Sequence, residues 1–218
     1  MPGSNSTKNF QSHLENASLI IVPLFFALSE LVHPITQDTA FKEIVSARDN
    51  STQWIVSHLL VIVSLCFMPY LMNRIRKYIN TKQVGISQVL VFITTIGLIF
   101  TVGLLMFDFM IYEMGKIGPV PEIVHLYESM EAGFYGTVFC KIGPAVFLLG
   151  LFCQVVLMLF NKENGKLPVA LILAGLLIYG FVGPLVPVRN GHIIVSLGAL
   201  IMLLGFFLLL QPRVNKRN

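Results

Sequence analysis

The chain predicts an all-α polytopic membrane protein, a bundle of six transmembrane helices. Two observations carry that prediction. Hydrophobic residues make up 55% of the 218 and charged residues only 12%, against about 25% charged in soluble domains. The apolar residues also fall in blocks of membrane-spanning length rather than at amphipathic spacing. These blocks do not alternate residue by residue, which excludes a β-barrel. No soluble stretch is long enough for a second domain. Residues 15–211 therefore read as one transmembrane domain between a polar cytoplasmic tail, 1–14, and a basic cytoplasmic tail, 212–218. The net charge of +4 sits in basic residues at span ends, so the partner it indicates is the lipid bilayer and not nucleic acid.

Residues 1–14 carry Ser, Asn, Lys and Gln and little to bury, the composition of a disordered tail. Span 1 runs from Glu15 to His33 across Pro23, which a membrane helix tolerates. Ala27-Leu28-Ser29 would pass as a signal-peptidase site. The leading region, however, holds Lys8 and an acid, Glu15, which favours retention as a true span. Residues 35–52 form a polar loop with a short amphipathic turn around Ala40–Ala47. Span 2 runs from Gln53 to Met72 and stops at Arg74-Ile75-Arg76-Lys77. Span 3, Ile86 to Met114, is longer than a roughly 30 Å core requires and must tilt or protrude.

Residues 115–130 make a second loop in which His125, Glu128 and Glu131 read as a solvated helical face. Span 4 covers Ala132 to Phe160, with Pro144 inside it. Spans 5 (Leu167 to Val186) and 6 (His192 to Leu210) are joined by a tight turn, Pro187 to Gly191, and so form an antiparallel hairpin. Cys66, Cys140 and Cys153 lie in apolar spans without paired spacing and read as buried small hydrophobes.

Orientation follows from the basic residues. Ten lie on the side of the two termini and four on the other, with Lys141 inside span 4. Both termini are therefore expected in the cytoplasm of a cell whose plasma membrane the chain spans. With sidedness set, depth can be assigned to each ionisable group. Glu30 and His33 end span 1, and their Glu-x-x-His spacing puts both on one helix face. His58 lies about one and a half turns into span 2. Asp108 is in the outer third of span 3, Lys141 in the outer half of span 4, and His192 opens span 6. Five spans thus bring an ionisable group to the outer leaflet, and the inner half has none. Intramembrane ionisable residues mark function by default. An outward-facing polar pocket follows.

Three chemistries suit these residues. In the first, His33, His58, His192 and a carboxylate (Asp108 or Glu30) hold a divalent metal, zinc first among candidates, with an open position for water. Asp108, Glu30 and Lys141 then serve as catalytic acid–base or electrostatic groups against a lipid-like substrate. A second chemistry has two histidines, such as His58 and His192, ligating one haem. In the third, the pocket binds a small lipid-like or amphipathic ligand without reaction, for sensing or transport. Lys141 and Arg189 would then face an anionic head group, and Asp108 and Glu30 a cationic one. Pro144 and, in span 5, Gly180, Gly183 and Pro184 open the helices at the same depth.

The Asp-and-histidine set resembles, in residue type only, alkaline ceramidases and progestin/adiponectin-type receptors, which are transmembrane zinc hydrolases. Their paired H-x-x-x-H on a late span has no counterpart beside His192, and they have seven spans. His33-Pro34 and Trp54-Ile-Val-Ser-His58 also resemble small six-span bacterial membrane proteins of no assigned activity. That likeness covers the first third of the chain.

Overall fold

A computed structural model describes the backbone of residues 4–34, 39–186 and 188–211. The basic tail 212–218 and the Arg189 side chain lie outside the described residues. The chain is 91% helical, with no strand among the described residues. Among the described residues eight α-helices follow in order: α1 (Ser4–Val32), α2 (Ala40–Asp49), α3 (Ser51–Lys77), α4 (Val84–Ile117), α5 (Pro121–Ala132), α6 (Gly143–Met158), α7 (Lys166–Leu177) and α8 (Val188–Leu210). Among the described residues five segments are long and apolar enough to cross a membrane, namely Asn9–Val32, Ser51–Lys77, Thr81–Ile117, Gly136–Met158 and Asn190–Leu210. The segment expected as span 5 is a shorter apolar helix, Lys166–Val182.

Helix α1 starts at Ser4, so the described part of the tail, expected to be disordered, continues the first span as helix. Extending a nucleated helix costs little per residue, and a hydrogen bond from Gln11 to Glu15 one turn on supports the extension. Glu15 itself is fully buried and is salt-bridged to Lys77 at the end of α3. Lys77→Ala would leave that carboxylate uncompensated. Breaking a fully buried pair costs about 3–5 kcal/mol, and because the Lys77 side chain is 54% exposed we expect about 2 kcal/mol. Thermal unfolding in detergent should report a lower Tm for Lys77→Ala and recovery in Glu15→Leu/Lys77→Ala. Equal Tm in the single variant and the wild type would contradict this role.

Helix α1 packs chiefly on α3 and α8, α8 on α7, and α4 on α6, while the α3–α4 and α6–α7 seams are sparser. Without a hydrophobic drive between membrane helices, close packing needs small residues. Gly97 of α4 lies directly against the α6 backbone at Phe147, and Gly150 of α6 against Thr94 of α4. Gln154 then donates to the Thr94 hydroxyl at 2.8 Å. Gly175 and Gly198 bring α7 and α8 together in the same way.

Two of these helices change gauge where a proline follows. Gly136–Ile142 and Ile178–Val182 are π-helical, and the Gly143 and Gly183 amides reach back five residues, to the Val138 and Ile178 carbonyls. Each widened stretch stops one residue before a Gly-Pro pair, Gly143-Pro144 and Gly183-Pro184. Proline supplies no N–H to the carbonyl four residues earlier, and the wider turn re-pairs the backbone ahead of it.

The Thr81–Ile117 segment, 37 residues, is about 55 Å long at 1.5 Å per residue. Its excess over the roughly 30 Å core carries a small cap. There Ile44 and Ala47 of α2, Trp54 of α3, Phe107, Ile111 and Met114 of α4 and Tyr127 of α5 form a second apolar cluster. His125, Glu128 and Glu131 are exposed on α5. The three cysteines are free, but they are not the buried residues expected: Cys66 is exposed and Cys140 and Cys153 are half-buried.

Candidate functional site

At the end of the bundle where α1 finishes and α8 begins, a cavity of about 230 Å³ lies between α4/α6 and the other spans. Its polar wall consists of Glu30 and His33 at the end of α1, His58 on α3, Thr101 and Asp108 on α4, and His192 on α8. Its apolar floor includes Phe26, Val61, Leu65, Leu105, Phe147, Leu148 and Tyr179. Five groups placed at one depth by sequence thus share one wall.

Two histidine–carboxylate pairs hold that wall. His58 Nε2 is 3.2 Å from Asp108 Oδ2, and His192 Nδ1 donates to Glu30 Oε2 at 2.7 Å. His33 stands between them, stacked on His192 with ring centroids 4.8 Å apart and tilted against His58 at 5.4 Å. Trp54, whose sequence signal was only its place in a motif, flanks His58 at 5.0 Å. Its indole N–H donates to the Asp108 carbonyl at 3.1 Å. His58 and Trp54 are one turn apart on α3, which stacks them naturally. Tyr179 and Phe26, 5.3 Å apart, also belong to the cavity. The sequence sign for Tyr179 was its place beside Gly180 in the broken part of span 5.

Lys141 is not part of this wall. It is exposed on the π-helical stretch before α6, and the ion pair to Asp108 that its depth allowed does not form, because Asp108 pairs with His58. Its depth was right, but depth does not fix which face a residue takes. A long lysine on an outer face can carry its ammonium to the interface.

The metal expectation finds no support among the described residues. Among the described residues, no three His, Cys, Asp or Glu side chains are arranged to hold one ion. The rings are close together, and one nitrogen in each of two of them is held by a backbone carbonyl. His33 Nδ1 bonds the Pro34 carbonyl at 2.9 Å and His58 Nδ1 the Trp54 carbonyl at 2.6 Å. His33 and His192 meet face to face, and stacked rings do not converge their lone pairs on one point. The water-activating role of His33, His58, His192 and Asp108, and with it the catalytic roles of Glu30, Asp108 and Lys141 around such an ion, therefore lacks a ligand set. A haem fares no better, since the cavity is below the 300–1,000 Å³ of ordinary drug-sized ligand sites.

Beside the cavity, in the cap, Tyr127 Oη donates to Glu43 Oε2. Burial lifts the Glu43 carboxyl above its ordinary range, the Tyr127 hydrogen bond opposing that shift, and the same burial raises the Tyr127 phenol. Because the folded state holds the Glu43 proton more tightly than the unfolded chain, its contribution is full below the ordinary carboxyl value near 4.5. It is lost as pH rises through the raised folded value. Amide exchange in α2 and α5, corrected for intrinsic rates, should be slower at pH 5 than at pH 7.5, and Glu43→Gln should abolish the difference. Equal protection of the wild type at both values would refute the assignment.

The fold and site define an integral, multi-pass α-helical membrane protein with an amphipathic cavity at one end of its bundle. No protein family, curated protein or solved structure matches the chain.

Proposed function

We propose that this protein binds a small amphipathic cation from the outer face of the plasma membrane, without chemistry on it. One observation carries the reading. The cavity is lined by two carboxylates, Glu30 and Asp108, and among its described lining residues by no lysine or arginine. An anionic head group would find no fixed positive charge among those residues; a cationic one meets carboxylates and aromatic faces, both of which attract it. Phe26, Phe147 and Tyr179 supply the aromatic faces.

Size narrows the ligand. A cavity of about 150 Å³ holds benzene, so about 230 Å³ suits a substituted aromatic or short alkyl ammonium. The sidedness rests on the basic residues, ten toward the termini against four, which puts the cavity outside. Sensing or uptake of such a cation is the use this pocket fits.

Trp54, the only tryptophan in the chain, provides the readout. Titrating purified protein with benzyltrimethylammonium should change its fluorescence saturably, while benzylphosphonate and benzyl alcohol at equal concentration should not. A response to the phosphonate equal to or larger than that to the ammonium would overturn the reading.

A further inference from the structure

We infer that the cavity exchanges a proton for its cation, and that the proton is the one held between His58 and Asp108. The inference rests on the cation reading above and comes from donor and acceptor bookkeeping. A carbonyl oxygen only accepts, so His58 Nδ1, 2.6 Å from the Trp54 carbonyl, carries a hydrogen. With that site occupied, a neutral His58 ring turns the bare lone pair of Nε2 toward whatever it faces. It faces Asp108 Oδ2 at 3.2 Å, and a lone pair against a carboxylate is repulsive. The contact is attractive only with one more proton between the two atoms, as imidazolium with carboxylate or as imidazole with carboxylic acid. Both forms have the same proton count. The Asp108–His58 pair thus stores one proton and is electrically neutral as a unit.

The second pair differs. His192 donates through Nδ1 to Glu30, which the single proton of a neutral ring satisfies. His33 likewise uses its Nδ1 proton on the Pro34 carbonyl. Besides Glu30 and His33 at the end of α1, the titratable groups facing the pair from packed elements are Glu43 of α2, Tyr127 of α5, Tyr135 and Cys140 ahead of α6, and Tyr179 after α7. None of them forms a hydrogen bond with His58 or Asp108 among the described contacts. The stored proton is therefore specific to one pair.

A cation that takes Asp108 as its counter-ion competes with this proton. The Nε2–H bond breaks, its electron pair stays on Nε2, and the proton leaves to solvent. His58 remains neutral on the Trp54 carbonyl while Asp108 pairs with the cation. One positive charge arrives and one departs, so the buried site keeps its charge. That avoids the desolvation cost of a net charge in a low-dielectric site.

Isothermal titration with benzyltrimethylammonium tests this, because a quaternary ammonium brings no proton of its own. Heats measured in phosphate and in Tris, whose ionisation enthalpies differ, give the protons released. We expect about one per cation, with Kd falling tenfold per pH unit while the pair is protonated. Whatever affinity His58→Gln retains should show neither the release nor the pH slope. Binding with no release in the wild type overturns the exchange and leaves the cation reading standing. Release that persists in a folded His58→Gln overturns the assignment to this pair. Absence of any binding in the wild type overturns the cation reading and the exchange with it.

Discussion

Asp108→Asn is expected to weaken benzyltrimethylammonium binding about a hundredfold. Removing one member of a desolvated charge pair costs about 2–5 kcal/mol, and 1.4 kcal/mol is tenfold. The Asp108 side chain is 19% exposed, which places the loss toward the lower half of that range. The substitution keeps the shape of the side chain and leaves the backbone carbonyl that accepts from Trp54 in place. A folding defect is thus separable from a binding one by the unliganded Trp54 spectrum. Glu30→Gln should weaken binding less, because that carboxylate keeps company with His192 at the cavity wall. A loss of less than threefold in Asp108→Asn would remove Asp108 as the counter-ion.

Gly97→Ala carries the largest expected cost in stability. A Cβ there would lie 2.3 Å from the Phe147 amide nitrogen and 2.6 Å from its Cα. Both are backbone atoms of α6, so no rotamer change relieves the overlap. Helices α4 and α6 must separate, and the Gln154–Thr94 hydrogen bond one turn away stretches with them. Overpacking of this kind costs about 3 kcal/mol, or a Tm lower by about 6–12 °C for a chain of this size. Since α4 and α6 both wall the cavity, cation affinity should fall as well. Gly85→Ala is the control, because nothing lies within 4 Å of the point where its methyl group would stand. An unchanged Tm in Gly97→Ala would mean that the two helices are not in this contact.

Much of this architecture was legible in the chain because membrane helices obey a single length rule. Where α3 outran its expected end, the surplus was Arg74, Arg76 and Lys77, basic residues in a last helical turn that complement its dipole. Glu30, His33, His58, Asp108 and His192 could be grouped because depth follows from counting residues from a span end. Rotation about the helix axis does not. Lys141 had the right depth and the wrong face, and the widened turn that carries it has no signature in hydrophobic periodicity. The Glu15–Lys77 pair joins residues 62 apart, each of which alone reads as an ordinary helix end. The metal expectation turns on a finer level still. The residue types were suitable, but the direction of an imidazole lone pair depends on which carbonyl the ring leans on, here those of Trp54 and Pro34. No count of histidines contains that.

The two π-helical stretches divide the bundle mechanically. Beyond them, over Gly143–Met158 and Lys166–Leu177, α6 and α7 are regular and tied to α4 and α8 through glycine contacts that leave no slack. At the cavity end the coil is wider over Gly136–Ile142 and Ile178–Val182, and Pro144 and Pro184 beside those stretches donate nothing along the axis. Tilting the two widened segments would change the cavity's girth and leave the Gly97–Phe147 contact as it is. Compliance is thereby confined to the end that receives a guest, and the opposite end behaves as a fixed foundation.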